Sequence, residues 1–238
     1  MVDSRARGIV VALQANYLEV ELHDPPAGVP ARLLCTRRTR LSHRGAAVHV
    51  GDEVSVEAID PGQARAVVAD VASRSSWLTR PPVANVSLVV VVLAVDQPSF
   101  DPDQASRFLL TAERTGLDVQ VVLSKSDLIA AGELQQLCDR VRGWGYEPIA
   151  LSSQTGAGVE ALQQRLQLAP LSVLCGPSGV GKSSVLNRLL PHLSLRVGAV
   201  SGRLQRGRHT TRHVELFRLG AAARVADTPG FNRPELPD

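Results

Sequence analysis

The chain has 238 residues, 44% hydrophobic and 21% charged, enough for one large or two small domains with packed cores, which excludes a mainly disordered chain. The longest apolar run, Val86 to Val95 broken only by Ser87, falls well short of the roughly 20 residues of a membrane helix, and Met1 to Arg7 shows no signal-peptide pattern. The three cysteines Cys35, Cys138 and Cys175 lie far apart, which argues against a disulfide framework or a four-ligand zinc site, so a cytoplasmic protein is expected. Net charge is only +3, but of 26 basic residues just two, Lys125 and Lys182, are lysines. A compact ammonium is expected to serve those two positions better than a planar guanidinium. From Ala161 to Val214 there is no Asp or Glu, while Arg165, Lys182, Arg188, Arg196, Arg203, Arg206, Arg208 and Arg212 accumulate. Such a stretch suits a polyanion.

In chain order, residues 1–75 read as short strands punctuated by Gly and Pro: Gly8 to Leu22, Ala31 to Thr36, Glu53 to Ile59 and Ala64 to Val71. They suggest a small OB-type barrel, a pattern shared with SH3-like barrels. Arg74 to Pro82 reads as a linker in which Pro81-Pro82 stops any regular element. From residue 76 to 238 a second domain is expected. Its continuous β-branched strand Ser87 to Val95 opens an alternation of strands (119–123, 148–151, 172–175, 213–219, 223–226) with helices (103–114, 128–142, 159–166, 182–190). That alternation predicts an α/β fold with a mostly parallel sheet.

The strongest motif is Gly176, Pro177, Ser178, Gly179, Val180, Gly181, Lys182, Ser183, followed by Ser184, between a strand and a helix. It is the phosphate-binding loop pattern, in which glycines turn backbone N–H groups inward, Lys182 reaches the β- and γ-phosphates and Ser183 holds Mg²⁺. Downstream, Asp227-Thr-Pro-Gly230 ends a strand, placing Asp227 to anchor Mg²⁺ through water and the Gly230 N–H to sense a γ-phosphate. Between them, Gly207-Arg-His-Thr-Thr211 reads as a switch loop in which a threonine, Thr210 or Thr211, completes the Mg²⁺ shell; Thr211 is preferred. Upstream, Ser124-Lys125-Ser126-Asp127 follows a strand. The Asp127 carboxylate can accept from guanine N1–H and N2–H₂ together, and the Lys125 stem can cover the base. Ser152 and Ser153, opening Ser-Ser-Gln-Thr-Gly156 after the next strand, offer backbone N–H groups to guanine O6.

With base motifs first, phosphate loop second and switch motifs last, after an N-terminal barrel, the chain resembles the RsgA (YjeQ/EngC) family of circularly permuted, ribosome small-subunit biogenesis GTPases. Arg80-Pro-Pro-Val-Ala-Asn85 joins the quoted motifs in carrying that resemblance. It implies hydrolysis of GTP to GDP with Mg²⁺, stimulated by the small ribosomal subunit, and rRNA binding; a monomer with no membrane association is expected. Two departures stand out. Ser124 replaces the family's Asn, which is expected to loosen the base pocket. The family's C-terminal zinc-binding extension has no counterpart before Asp238, so the chain is expected to be truncated and to hold no zinc. Phe231 stands where related GTPases carry a water-orienting glutamine, and the resemblance makes His209 the residue that acts on the attacking water. Tyr17 is the lone aromatic before Trp77, so structured RNA held through Arg37, Arg38, Arg40 and Arg44 is expected rather than base stacking. Two other readings stay open: an ATP-using P-loop enzyme, and a nucleotide-gated RNA-binding module with negligible turnover.

Overall fold

A computed structural model describes residues 5–14, 16–38, 47–191 and 214–227. They fall into two compact units, one running to Val86 and taking in strand residues up to Phe217, the other starting at Ser87 and taking in Arg218 onward.

In the first unit the apolar stretch read as one run is a hairpin of β1 (Ala6–Leu13) and β2 (Leu18–Leu22), closed by mutual backbone hydrogen bonds between Gln14 and Tyr17. With β3 (Arg32–Arg37), β4 (Glu53–Asp60) and β5 (Arg65–Val71) it forms the order β1-β2-β3-β5-β4, and antiparallel β1–β4 pairing closes the barrel. Only β3 and β5 run parallel. Closure removes the edges and points alternate residues inward. The resulting core includes Val10, Val20, Leu33, Val56, Ile59 and Val68.

The expected linker is not one. β6 (Trp77–Thr79) and β7 (Pro82–Ala84) pair as a hairpin of the first unit. Pro82 is tolerated because it opens its strand, where no ladder donor is required. Asn85 pins the hairpin's end, donating from Nδ2 to Gly51 O (2.8 Å) and accepting from Ser75 N (2.8 Å). Before the hairpin, Arg74 grips the fully buried Asp52 through Nε to Oδ1 (2.7 Å) and Nη2 to Oδ2 (2.9 Å). A buried carboxylate is tolerable only with such paired donors. Trp77, set aside above as part of a linker, is thus an exposed aromatic of this unit, with the Arg74 guanidinium 4.6 Å from its ring centroid.

The second unit follows the expected alternation. β8 (Leu88–Ala94), β9 (Asp118–Ser124), β10 (Ile149–Leu151), β11 (Leu171–Cys175) and β13 (Ala223–Asp227) pair in the order β10-β9-β8-β11-β13, all parallel; β12 (Glu215–Leu219) precedes β13 across the turn 220–222. Between them lie α1 (Pro102–Glu113), α2 (Ala131–Gly143), α3 (Val159–Gln167) and α4 (Lys182–Leu189). α1 starts where Asp101 accepts from the backbone N–H of Asp103 and Gln104, with Pro102 in the first turn, and buries Ala105, Phe108, Leu109 and Ala112 at helical spacing. Every residue of β8 is buried, as a strand covered on both faces must be. From β8 the chain steps to β9 on one side, while β11 leads toward β13 on the other. The C-terminal ends of β8 and β11 therefore flank a topological switch point, where such sheets bind ligands.

Candidate functional site

The phosphate loop leaves β11 at that switch point. Gly176 adopts φ +141°, and a Cβ there would lie 2.1 Å from Val92 O of β8, so only glycine lets the loop pass so close. Pro177 and Val180 are buried and seat the loop; Ser178 and Gly179 are exposed at its tip. Gly181, also left-handed (φ +90°), begins α4, and no side chain among the described residues caps that helix. Its first-turn N–H groups and dipole suit an anion rather than a side-chain oxygen. Ser183 and Ser184 stand half-buried in that first turn. Lys182 Nζ donates to Gly176 O (2.8 Å) and Pro177 O (2.7 Å), acceptors that place the ammonium over the loop. Below, burial pushes the Cys175 thiol up to about 12 against the opposing influence of Lys182, so it is a neutral packing group. The residues present therefore fit a polyphosphate: a glycine cradle, an uncapped helix start and a lysine.

The base motif meets this loop directly. Ser124 ends β9, is 2% exposed, and places its hydroxyl 2.6 Å from Val180 O and 3.1 Å from Leu93 O. With one O–H to give, the shorter contact to the phosphate loop is the donated bond. A hydroxyl on this short side chain thus ties the two motifs together, which qualifies the expectation that replacing Asn loosens the pocket. Lys125 takes a left-handed conformation (φ 59°, ψ 35°) before the 3₁₀ turn Ser126–Leu128. Its Nζ donates to Gln97 O, and its Cε runs 3.8 Å from where a Cβ on Gly181 would lie. Asp127 is exposed within the 3₁₀ turn. Ser152 is buried, and its Oγ accepts from the backbone N–H of Gln154 (3.2 Å) and Thr155 (3.1 Å). That hydroxyl is spent on shaping the turn; Ser153, beside it, is half-buried.

Of the residues singled out in the sequence, Ser124, Lys125, Asp127, Ser152, Ser153 and the whole loop 176–184 are thus gathered at the C-terminal ends of β9, β10 and β11. Asp227 ends β13 on the same sheet edge by its backbone position. His209, Thr210, Thr211, Gly230 and Phe231 lie outside the described residues. Sequence reasoning missed Gln97, whose carbonyl holds Lys125, and the bond by which the carbonyl of Val180, already named in the phosphate loop, holds Ser124. Neither contact was legible, because a backbone acceptor carries no residue signature; only the place of Gln97, just after the buried strand at the switch point, could have drawn attention to it.

A family model described as RsgA GTPase matches residues 71–237. The chain is 74% identical, over 99% of its length and 77% of the relative's, to the small ribosomal subunit biogenesis GTPase RsgA of Synechococcus sp. (strain CC9605). It is 48% identical, over 98% of its length and 78% of the relative's, to the protein of the same name from Prochlorococcus marinus (strain NATL1A). Among solved structures, YjeQ from Thermotoga maritima superposes with TM-score 0.80 at 32% identity, covering 98% of this chain and 77% of that one. YloQ, described as a circularly permuted GTPase, superposes at 0.74 with 26% identity, covering 98% and 74%. Motif order, sheet topology and kinship agree: the chain belongs to the RsgA GTPase family.

Proposed function

We propose that the chain hydrolyses GTP to GDP and phosphate with Mg²⁺ and acts in the cytoplasm as a monomer on the maturing small ribosomal subunit. The observation that carries this reading is the Ser124 hydroxyl on Val180 O, which joins a base-reading motif to a phosphate loop at one sheet edge. Lys125 and Asp127 would read guanine, with backbone N–H groups of Ser152 and Ser153 at O6. The loop from Gly176 to Ser184 would hold the phosphates and Lys182 would offset their charge. Ser183, Thr211 and, through water, Asp227 would hold the Mg²⁺, which when bound neutralises charge developing between the β- and γ-phosphates. His209 would orient the attacking water, and the Gly230 N–H would meet the γ-phosphate. Among the described residues no helix is long and apolar enough to cross a membrane.

The first unit is proposed to contact rRNA. Arg37 is exposed and available for phosphate, whereas Arg38 is held by Glu57 at 2.7 Å; Arg40 and Arg44 lie outside the described residues. The test is phosphate release from GTP, ATP and xanthosine triphosphate, with and without purified small ribosomal subunits. Turnover selective for GTP and raised by subunits is expected. Preference for ATP would overturn the guanine reading, and absence of turnover in both arms would leave a nucleotide-gated binding module. In the stimulated reaction His209→Ala is expected to lower kcat about 10- to 1000-fold with GTP affinity little changed.

A further inference from the structure

Arg188 belongs to the basic, acid-free stretch but to none of the nucleotide motifs. It lies in the last turn of α4, six residues after the loop lysine. In that place a cation complements the helix dipole, and this needs no particular reach of the side chain. The side chain nevertheless reaches across to the turn that follows β10. A methyl group on Gly156 would sit 2.9 Å from Arg188 Nη2 and 3.8 Å from its Cζ and Nε, so the guanidinium turns its Nη2 edge toward a glycine that alone leaves room for it. The same turn is braced from within: Gly156 N donates to Ser152 O (2.9 Å), and Ser152 Oγ accepts from two backbone N–H groups. Gly156 itself stands at φ +87°, a conformation that disfavours a larger residue. One face of the turn is thus covered by a cation carried on the helix whose first turn faces the phosphates.

We infer that Arg188 is a specificity-determining positioning residue: through the Ser152–Gly156 turn it holds a positive charge beside the place where a 6-oxopurine is read. The inference rests on the guanine reading above. A purine with an oxygen at position 6 presents a partial negative charge there, whereas one lacking it gains nothing from a nearby cation. Arginine suits the role because its permanently charged, planar group can bring one N–H edge up to a backbone turn while the rest of it stays hydrated. Arg188 is exposed, so its replacement leaves the packed side of α4, formed by Val185, Leu186 and Leu189, intact.

The experiment measures equilibrium binding of three diphosphates to the full chain and to Arg188→Ala, Arg188→Gln and Arg188→Lys. GDP carries the 6-oxo and 2-amino groups, inosine diphosphate the 6-oxo group alone, and 2-aminopurine riboside diphosphate the 2-amino group alone. The Ala and Gln variants are expected to weaken GDP and inosine diphosphate by roughly 10-fold each, about the worth of one charge-assisted contact, and to change the third ligand less than twofold. Arg188→Lys is expected to stay within about threefold of the parent for all three, since it keeps the charge. Unchanged GDP binding in Arg188→Ala overturns the inference, and a fall in melting temperature alone then assigns Arg188 to the helix terminus. Equal weakening of all three ligands also overturns it, because the effect would then lie on the phosphates. Asp127→Asn, measured beside these, tests the underlying reading separately. If it fails to move preference from GDP to xanthosine diphosphate, the guanine pocket lies elsewhere, whatever Arg188 does.

Discussion

β4 and β8 are strands of nearly equal length built on opposite rules. In β4 buried Val54, Val56 and Ile59 are interleaved with half-buried Glu53, Ser55 and Glu57; in β8 all seven residues are buried. A barrel strand faces its core on one side and water on the other, so its outer face carries charges that pair across strands, as Glu57 does with Arg5 and Arg38. A central parallel strand has no wet face. Its unit therefore keeps chemistry at the strand ends, where the backbone turns out of the sheet. Arginines are held by carboxylates in both units, Arg32, Arg38 and Arg74 in the first and Arg142 in the second, whereas at the candidate site Lys125 and Lys182 donate to backbone carbonyls. A carbonyl positions an ammonium without itself carrying a formal negative charge.

The largest effect expected from this contrast lies at a strand end. Lys182→Ala or Ser183→Ala should reduce single-turnover GTP hydrolysis at least about 1000-fold, the loss of several kcal/mol of transition-state stabilisation. Near-parental hydrolysis in both variants would break the assignment of the loop. Within the strands, Val90→Thr and Val91→Thr point to opposite faces of β8, and each should cost about 1 to 3 kcal/mol by burying a hydroxyl. Of the β4 neighbours Ser55 and Val56, only Val56→Thr should cost that much, with Ser55→Thr within about 0.5 kcal/mol of the parent. Urea unfolding decides this, and a tolerated threonine on either face of β8 would refute the two-sided reading.

Two serines of the same parallel sheet sharpen the distinction between strand interior and strand end. Ser172 lies fully buried within β11, and its hydroxyl finds no hydrogen-bond partner among the described residues. Ser172→Ala should therefore leave stability unchanged or raise it by about 1 kcal/mol. Ser124→Ala should lower it by about 1 kcal/mol and weaken GDP binding several-fold, because its hydroxyl spans to Val180 O. Equal effects at the two positions, read by urea unfolding with and without GDP, would remove the distinction.

The smallest expected effect is a pH dependence in the first unit. His49 sits beside Trp77, ring centroids 4.6 Å apart, and donates its backbone N–H to Asp52. Burial first and then the neighbouring Arg74 hold its imidazole below the usual histidine range, with Arg37 acting in the same sense and Asp52 against. Because the unfolded chain takes up a proton that folded His49 resists, this contribution is full above a pH of about 6.5 and is lost as pH falls through the folded-state value. Unfolding midpoints between about pH 5 and 7.5 should show that slope, and His49→Gln should flatten it.

Much of this molecule is local in origin. The β-branched run of β8, the glycine-and-lysine loop before α4, the Asp101-Pro102 start of α1 and the strand-ending Ser124-Lys125-Ser126-Asp127 each state their conformation or chemistry within a few residues. The sequence alone was therefore enough to place the alternating elements of the second unit, to suggest a barrel ahead of them and to name the phosphate and base motifs. The tertiary structure decided what depends on distant partners. It split one apolar run into β1 and β2, turned the Pro81-Pro82 segment into a hairpin seated by Asn85 and Gly51, and paired Arg74 with Asp52 across 22 residues. It also gave the Ser124 hydroxyl a carbonyl 56 residues away and brought the Nη2 edge of Arg188 up to Gly156. The physical reason is common to all of these: propensity and periodicity act between near neighbours, whereas the acceptor of a buried hydroxyl or the rest of a long cation is set by which strand ends the sheet order makes adjacent.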